Sequence, residues 1–511
     1  MNFIYTLAVT PRTPTRTLRL ATCLAAGLLV SGCFAPAGGS SASDPSGSQD
    51  GGRLRVALAF PPTQNLSPYG QDAFTLSRLG VAEGLTRLDE NGTPVPALAR
   101  SWQNDGPAWL FTLREARFHD GGDVTAAAVA DALGRAARAK PAPAALAGIS
   151  LTAEAVGDRQ VRISTAAPDP VLPQRLSNPS LAVFSAKAYA KDGTVDPVGT
   201  ATGPFRLTKI TGVTEATTER FDDHWGGRAQ LSGVDARFVA DGTARVNALR
   251  SGEVDIAEAV PVAQIASLDP DTARQVATAR TTGLFLNTRS GPFADPAVRA
   301  AARAAVDTSV LARDVFEGYA DPARGVFGPA LTWAQGKRVE PTGRAQAGRV
   351  DGVSITLATY DNRPELPEVA QVLQQQLQRV GFTVALEVRE SARLLPDALA
   401  GKFDAVVGAR NTMLDTGDPV SVLTSDFTCA GSYNLALLCD PGLDEAIVRA
   451  ATVTDIGRRQ DATMAAEAAI LGTDAVVPLV HQQAVVGVRA SVRGVVLDPY
   501  ERALITAGTQ R

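Results

Sequence analysis

Histidine, cysteine and methionine are scarce in this chain of 511 residues, with three, four and three copies. Metal sites need clustered nitrogen and sulfur ligands, and no C-x-x-C occurs, so a metal bound directly by the chain is not expected. Long apolar runs are also missing. The run 20–30 has eleven residues, well short of the ~20 that a membrane-spanning helix needs, and no later run approaches that length. Positive charge is not in excess: 49 Lys and Arg stand against 53 Asp and Glu, a net charge of −4. That argues against nucleic acid, which requires a basic face. Catalytic signatures are absent too, with no G-x-S-x-G, H-E-x-x-H, P-loop or dinucleotide fingerprint. His119, His224 and His481 lie far apart. Asp120, Asp123, Asp415 and Asp418 each sit near Gly or Pro, where turn chemistry accounts for them. An exported hydrolase assembled from scattered Asp and His is the remote alternative left open. No cofactor is expected.

What is present begins at the N-terminus. Arg12, Arg16 and Arg19 precede the apolar run, and Ser31 and Gly32 close it, which describes a secretory signal peptide over 1–32. Its end, Leu29-Val30-Ser31-Gly32-Cys33, resembles a bacterial lipobox, in which Cys33 is lipidated and becomes the first residue of the mature protein. A plain signal peptide with a chance cysteine is the other reading. A multiply acylated cysteine anchors stably, whereas one chain does not. Residues 33–52 are rich in Gly, Ser, Ala and Pro and read as a flexible tether; its 19 residues after Cys33 have an r.m.s. reach of about 25 Å. The protein is therefore expected outside the cell, held on the outer face of the cytoplasmic membrane by Cys33. Of the remaining cysteines, Cys23 leaves with the signal. Cys429 and Cys439 form an even pair close in sequence, which outside the cell reads as a disulfide contributing about 2–3 kcal/mol. Two metal ligands or two free thiols are the rival readings.

More than 450 residues follow the signal, too many for one core, so two or three domains are expected. Residues 54–59 alternate as a strand, and a Pro-rich loop follows. Asn91-Gly92 centres a hairpin over 85–95. Residues 125–139 read as an alanine-rich helix, and 111–114, 161–164, 181–184 and 205–210 as strands. From 234 onward strands alternate with helices. The strands are 234–239, 255–257, 283–287, 355–359, 382–388 and 403–407. The helices are 243–249, 295–316 (Asp295 at N-cap, Pro296 at N1), 367–380 and 394–400. That rhythm predicts a parallel α/β domain in the second half.

Several segments resemble, in order, the large solute-binding proteins of ABC importers, the family of dipeptide-, oligopeptide- and nickel-binding proteins. They include Ala82-Glu83-Gly84-Leu85-Thr86-Arg87-Leu88, Pro96-Ala97-Leu98-Ala99-Arg100-Ser101-Trp102, Phe111-Thr112-Leu113-Arg114 and Arg117-Phe118-His119-Asp120-Gly121. Gly203-Pro204-Phe205, Ser251-Gly252-Glu253-Val254-Asp255 and Val298-Arg299-Ala300-Ala301 continue the series. The resemblance implies an α/β, two-lobed fold of the periplasmic-binding-protein type, with an extra domain inserted in lobe one. Lobe one would combine 53–88, 198–282 and 475–511, with 89–197 inserted, and lobe two would be 283–474. It also implies a monomer that performs no chemistry and closes on a solute. The partners implied are ABC permease subunits with cytoplasmic ATPases.

In peptide-binding members an aspartate before a G-D-P element pairs with the ligand amine, and Asp415-Thr416-Gly417-Asp418-Pro419 puts Asp415 in that role; a turn cap is the alternative. Asp418 reads as structural. The family's usual tryptophan is replaced here by Arg410-Asn411-Thr412-Met413, a departure that puts an ordinary dipeptide in doubt. Arg410, at the carboxyl end of a strand, is expected to grip a ligand carboxylate in two-pronged fashion, with Asn411 beside it. Arg363 is a second candidate at similar topology. Asn65 and Tyr69 are expected to reach the cleft from lobe one, and Trp333 to stack on the ligand. Trp102, Trp109 and Trp225 read as core. The leading expectation is a short peptide or related amine-bearing solute; a nickel or other metal chelate is the alternative ligand.

Overall fold

A computed structural model describes residues 51–511 other than Gln71, Pro141, Ala147 and Asn362. The signal peptide, Cys33 and all but the last two tether residues lie outside the described residues. The first strand runs Gly51–Leu58. It pairs in parallel with Leu231–Phe238 on one side and Ile256–Ala257 on the other. The helix between those two neighbours, Gly242–Arg250, starts where the Asp241 side chain accepts the Ala244 amide at 2.6 Å. This is the expected β-α-β unit, with the N-terminal strand laid into its middle.

One mixed sheet of eleven strands runs through both halves of the molecule. Two long strands make that possible. Ala273–Leu286 and Val476–Val488 pair antiparallel along their length, and the register slips between Ala277 and Thr281 and again between Thr282 and Gly283. On one side of the slips the second strand pairs with Ile256–Ala257 of the first half. On the other the first strand pairs with Ala405–Asn411 of the second half. The second half is therefore not wholly parallel as expected. Ser354–Tyr360, Thr383–Arg389 and Ala405–Asn411 form the parallel part, and the long strands meet it antiparallel. The sequence reading started the first long strand at Gly283 and missed ten residues of it, because Arg274, Gln275 and Arg280 interrupt the apolar pattern.

A second sheet of four antiparallel strands, Ala99–Asp105, Ala108–Leu113, Gln160–Thr165 and Leu151–Val156, is backed by the helix Ala126–Arg138. Its core joins Phe111, Leu133, Val161 and Leu176. Residues Phe184, Ala188 and Val195 pack instead with Leu54 and Leu79 of the first-half sheet. The hairpin about Asn91-Gly92 forms as expected between Thr86–Leu88 and Pro94–Pro96. Gly92 holds φ +77° there, a conformation that favours glycine.

Two local readings are corrected. Residues 181–184 are no strand: Asn178 accepts the Ser180 amide and starts a single 3₁₀ turn, after which the chain runs extended without a partner strand. The helix expected over 295–316 ends at Ala305. There the Asp307 side chain accepts the Ser309 amide, and Gln376 holds the Asp307 backbone at both its amide and its carbonyl, so a new turn begins. Cys429 and Cys439 are joined in the structure, with their Cα atoms 4.3 Å apart.

Asp418 meets Arg459 through two hydrogen bonds of 2.9 and 2.6 Å, and both side chains are buried. Arg459 also donates to the carbonyls of Ala450, Ala451 and Val453. Asp418→Asn removes the carboxylate and leaves a buried cation on carbonyls alone. Such a loss costs about 3–5 kcal/mol. A clear fall in melting temperature is expected, and melting at the wild-type temperature would show that the pair is not a structural clamp.

Candidate functional site

The charged residues expected at the ligand site converge where the two halves meet. Ala405–Asn411 carries Arg410 and Asn411 at its end, and a turn over 412–416 carries Asp415. The C-terminal segment supplies Tyr500, which packs in the second-half core, and with it Glu501 and Arg502. Glu501 takes φ +61°, a conformation strained for a side-chain-bearing residue. Its carboxylate accepts Arg280 Nη2 at 2.6 Å and Asn411 Nδ2 at 3.1 Å. The Asn411 Oδ1 accepts the Met413 amide, which shapes the turn.

Arg410 departs from expectation. Its Nε and Nη2 donate to the two oxygens of Asp426 at 2.8 and 3.0 Å, and its guanidinium lies over the Tyr433 ring at 4.1 Å. The two-pronged grip foreseen for a ligand carboxylate is taken by a carboxylate of the chain. Asp426 is 1% exposed, and Thr281, Phe285, Val422 and Phe427 line a small cavity against the pair. Burial pushes the Asp426 carboxyl up, against the pull of Arg410. Burial also works against the Arg410 charge, but Asp426 outweighs it and holds the guanidinium above its ordinary value. Arg410→Ala leaves Asp426 buried without its cation. That change is expected to lower the melting temperature of the ligand-free protein markedly; an unchanged melt would return Arg410 to the ligand.

Asp415 differs. Its carboxylate is 31% exposed and approaches Arg410 Nη2 only at 3.9 Å. It makes no hydrogen bond to the described residues, so it does not cap the turn. Arg363 is similar in kind. Its side chain is 27% exposed, its nearest carboxylate contact is Glu365 at 3.9 Å, and its guanidinium donates no hydrogen bond to the described residues. The neighbouring Arg280 charge, then burial, hold it below the ordinary arginine value. One carboxylate and one guanidinium thus stand at the junction with unused hydrogen-bonding capacity. Each favours an opposite charge that can bring its own donors or acceptors.

The three remaining candidates share no hydrogen bond or ion pair with this group among the described residues. Asn65 is exposed on the Pro-rich loop, which folds around Asp72 as its carboxylate accepts the amides of Thr63, Gln64 and Leu66. Tyr69 packs between the first-half and inserted cores beside Tyr189 and Arg135, where burial pushes its hydroxyl up. Trp333 is partly buried against the second-half core. Its neighbour Thr332 donates to Asn91 of the hairpin at 3.2 Å, so this helix meets the inserted domain. The residues that sequence reasoning missed are Arg280, Asp426, Tyr433, Glu501 and Arg502. Arg280 was findable as a lone charge inside a run of Thr and Ala; the C-terminal residues carried no local signal.

Arg280, Arg78 and Arg363 hold the Glu501 carboxyl down to about 2, outweighing the burial that would raise it. An unfolded glutamate titrates near 4.5. The stability from Glu501 is therefore complete above about 4.5 and is lost as pH falls toward about 2. Glu501→Gln is expected to flatten the fall of melting temperature across that window. An acid limb as steep as the wild-type one would mean that other carboxylates carry it.

Known proteins resemble the chain along most of its length. The family model described as Bacterial extracellular solute-binding proteins, family 5 Middle, matches residues 93–434. The nickel-binding protein NikA of Staphylococcus aureus is 26% identical over 457 residues, covering 87% of this chain and 89% of the relative. The glutathione-binding protein GsiB of Salmonella typhimurium is 29% identical over 365 residues, covering 68% of this chain and 70% of the relative. The crystal structure of a nickel ABC transporter protein from Bacillus halodurans matches with a TM-score of 0.73 at 27% identity, over 90% of this chain and 100% of that chain.

Proposed function

We propose a ligand class and a mode of action for this chain, which belongs to the bacterial extracellular solute-binding proteins of family 5. Members of the family are substrate-binding components of ABC importers rather than enzymes, and they work outside the cytoplasm. This chain captures a small solute bearing both an amine and a carboxylate, a short peptide or a relative of one, and delivers it to the permease. It acts as a monomer tethered through lipidated Cys33. The observation that carries the ligand class is the Asp415 carboxylate, part-exposed and without a hydrogen bond from the described residues, with the unspent Arg363 guanidinium at the same junction. The amine pairs with Asp415 and the carboxylate with Arg363. Removing both charges from water makes the pairing selective, because a ligand without the amine leaves Asp415 buried and unpaired. Binding favours closure only to the extent that the closed form binds more tightly.

A metal chelate is the second reading, favoured by the nickel-binding relative. Among the described residues no group of three or more His, Cys, Asp or Glu could hold an ion. A metal would then enter wrapped in a chelator whose carboxylates meet Arg363.

Calorimetric titration with a panel of di- and tripeptides, each beside its N-acetylated counterpart, tests the leading reading. The free-amine peptides should bind and the acetylated ones should not. Asp415→Ala should weaken the former by about 100-fold or more, corresponding to about 3 kcal/mol, while the ligand-free protein melts near the wild-type temperature. Equal affinity for both sets would overturn the amine role.

A further inference from the structure

The turn over 412–416 does not stand alone. Three consecutive carbonyls on it accept four hydrogen bonds from two buried side chains, one on the C-terminal segment and one on the segment that leads out of the four-stranded sheet's core. Arg502 Nη2 donates to Met413 O at 2.7 Å and Leu414 O at 2.8 Å. Asn178 Nδ2 donates to Leu414 O at 3.0 Å and Asp415 O at 2.5 Å. Arg502 is 5% exposed and Asn178 2%. A further bond, from Arg502 Nη1 to Ser177 Oγ at 2.7 Å, ties the two donors' segments to each other.

These contacts cross between cores. Arg502 lies between Tyr500 of the second-half core and Leu504 and Ile505 of the first-half core, Leu176 and Leu181 belong to the core of the four-stranded sheet, and Met413, Val420 and Leu423 to the second-half core. The Arg502 guanidinium has no carboxylate in salt-bridge contact among the described residues. A buried cation held by carbonyls and one hydroxyl, with its Nε unpartnered among the described residues, depends on the turn for most of its hydrogen bonds. Ordinary helix caps and ion pairs do not account for it. Close packing surrounds the same turn: a Cβ on Gly417 would come within 3.0 Å of the Leu88 side chain, and one on Gly92 within 2.8 Å of Met413 Cε.

We infer that Arg502 and Asn178 are positioning residues that act through the turn on Asp415, coupling the approach of the lobes to the aim of the amine-binding carboxylate. The purpose rests on the amine reading of Asp415; the clamp itself does not. The mechanism is geometric. Peptide units are planar, so fixing the carbonyls of 413, 414 and 415 fixes the planes on both sides of Asp415 and with them the direction of its side chain. Opening the lobes withdraws Asn178 from the Leu414 and Asp415 carbonyls. The Asp415 carbonyl passes to water, and the carboxylate loses its fixed direction. High amine affinity then belongs to the closed form alone, which is the differential affinity that closure requires. The loop that supplies Arg502 is itself held, because Asp498 accepts the amides of Tyr500, Arg502 and Ala503 at 2.9, 2.7 and 2.9 Å.

Backbone hydrogen exchange on the full chain without added ligand tests this. Arg502→Met keeps the stem and removes the donors. Asn178→Asp keeps the oxygen that accepts from Ser180 and removes the two bonds to the turn, so it serves should the first variant fold poorly. The expected result is exchange at least ten-fold faster in peptides covering 411–417 and 174–178 together. The strands Ala273–Leu286 and Val476–Val488 should exchange as in wild type. A merely structural role within the C-terminal segment would loosen 498–505 and leave 411–417 unchanged, and that result overturns the proposal. The exchange result does not depend on any ligand. Failure of the amine reading shows instead as equal binding of free and acetylated peptides, so the two failures are distinguishable.

Discussion

Pairing between Ala273–Leu286 and Val476–Val488 is the constraint on which the rest of the molecule depends. Two strands of this length serve both halves at once, so neither half has a core independent of the ladder between them. The ladder slips in register at Ala277–Thr281, and Arg280 lies within that interval. A cation placed in the middle of a sheet needs a counter-charge, because an unpaired buried charge costs several kcal/mol. Glu501 supplies it at 2.6 Å. Fixing Glu501 fixes its neighbour Arg502 at the junction, and Arg502 in turn reaches the turn that bears Asp415. Sheet geometry thus passes to the turn that bears Asp415 through a short series of buried polar contacts.

Charge is distributed at this junction by a consistent rule. Carboxylates that complete the fold are paired in two-pronged fashion and nearly sealed from water, as with Asp426 on Arg410 and Asp418 on Arg459. Groups with capacity to spare are the part-exposed ones, Asp415 and Arg363. The distinction is energetic. A sealed pair that lost a partner would destabilise the whole chain, whereas a part-exposed group waits in contact with water at little cost. It also explains why the arginine that replaces the family's usual aromatic residue is not free for the solute: Tyr433 stacks on its face and Asp426 fills its fork.

The sequence made the family and the α/β character legible because they rest on many local signals acting in order: the hairpin at Asn91-Gly92, the caps at Asp241 and Asp295, and the alternation of strand and helix after 234. Asp415 drew attention from its place before Gly417-Asp418-Pro419, and the structure leaves its carboxylate part-exposed. What was not legible depends on contacts between segments far apart in the chain. The Arg410–Asp426 pair is closed by a turn and a helix whose relative packing no local pattern reveals. The Glu501–Arg280 pair spans 221 positions. The long strand hid its first ten residues because Arg274 and Gln275 are exposed and Arg280 pairs with Glu501, which breaks the apolar alternation expected of a buried strand. Tyr69 looked like a cleft residue from its loop and proved to be packing between two cores.

The most direct test of the account is native mass spectrometry of the full chain, followed by denaturation to identify any small molecule that travelled with it. The account predicts a solute that carries a primary amine and at least one carboxylate, free or as a metal chelate. A bound solute lacking both groups would contradict it.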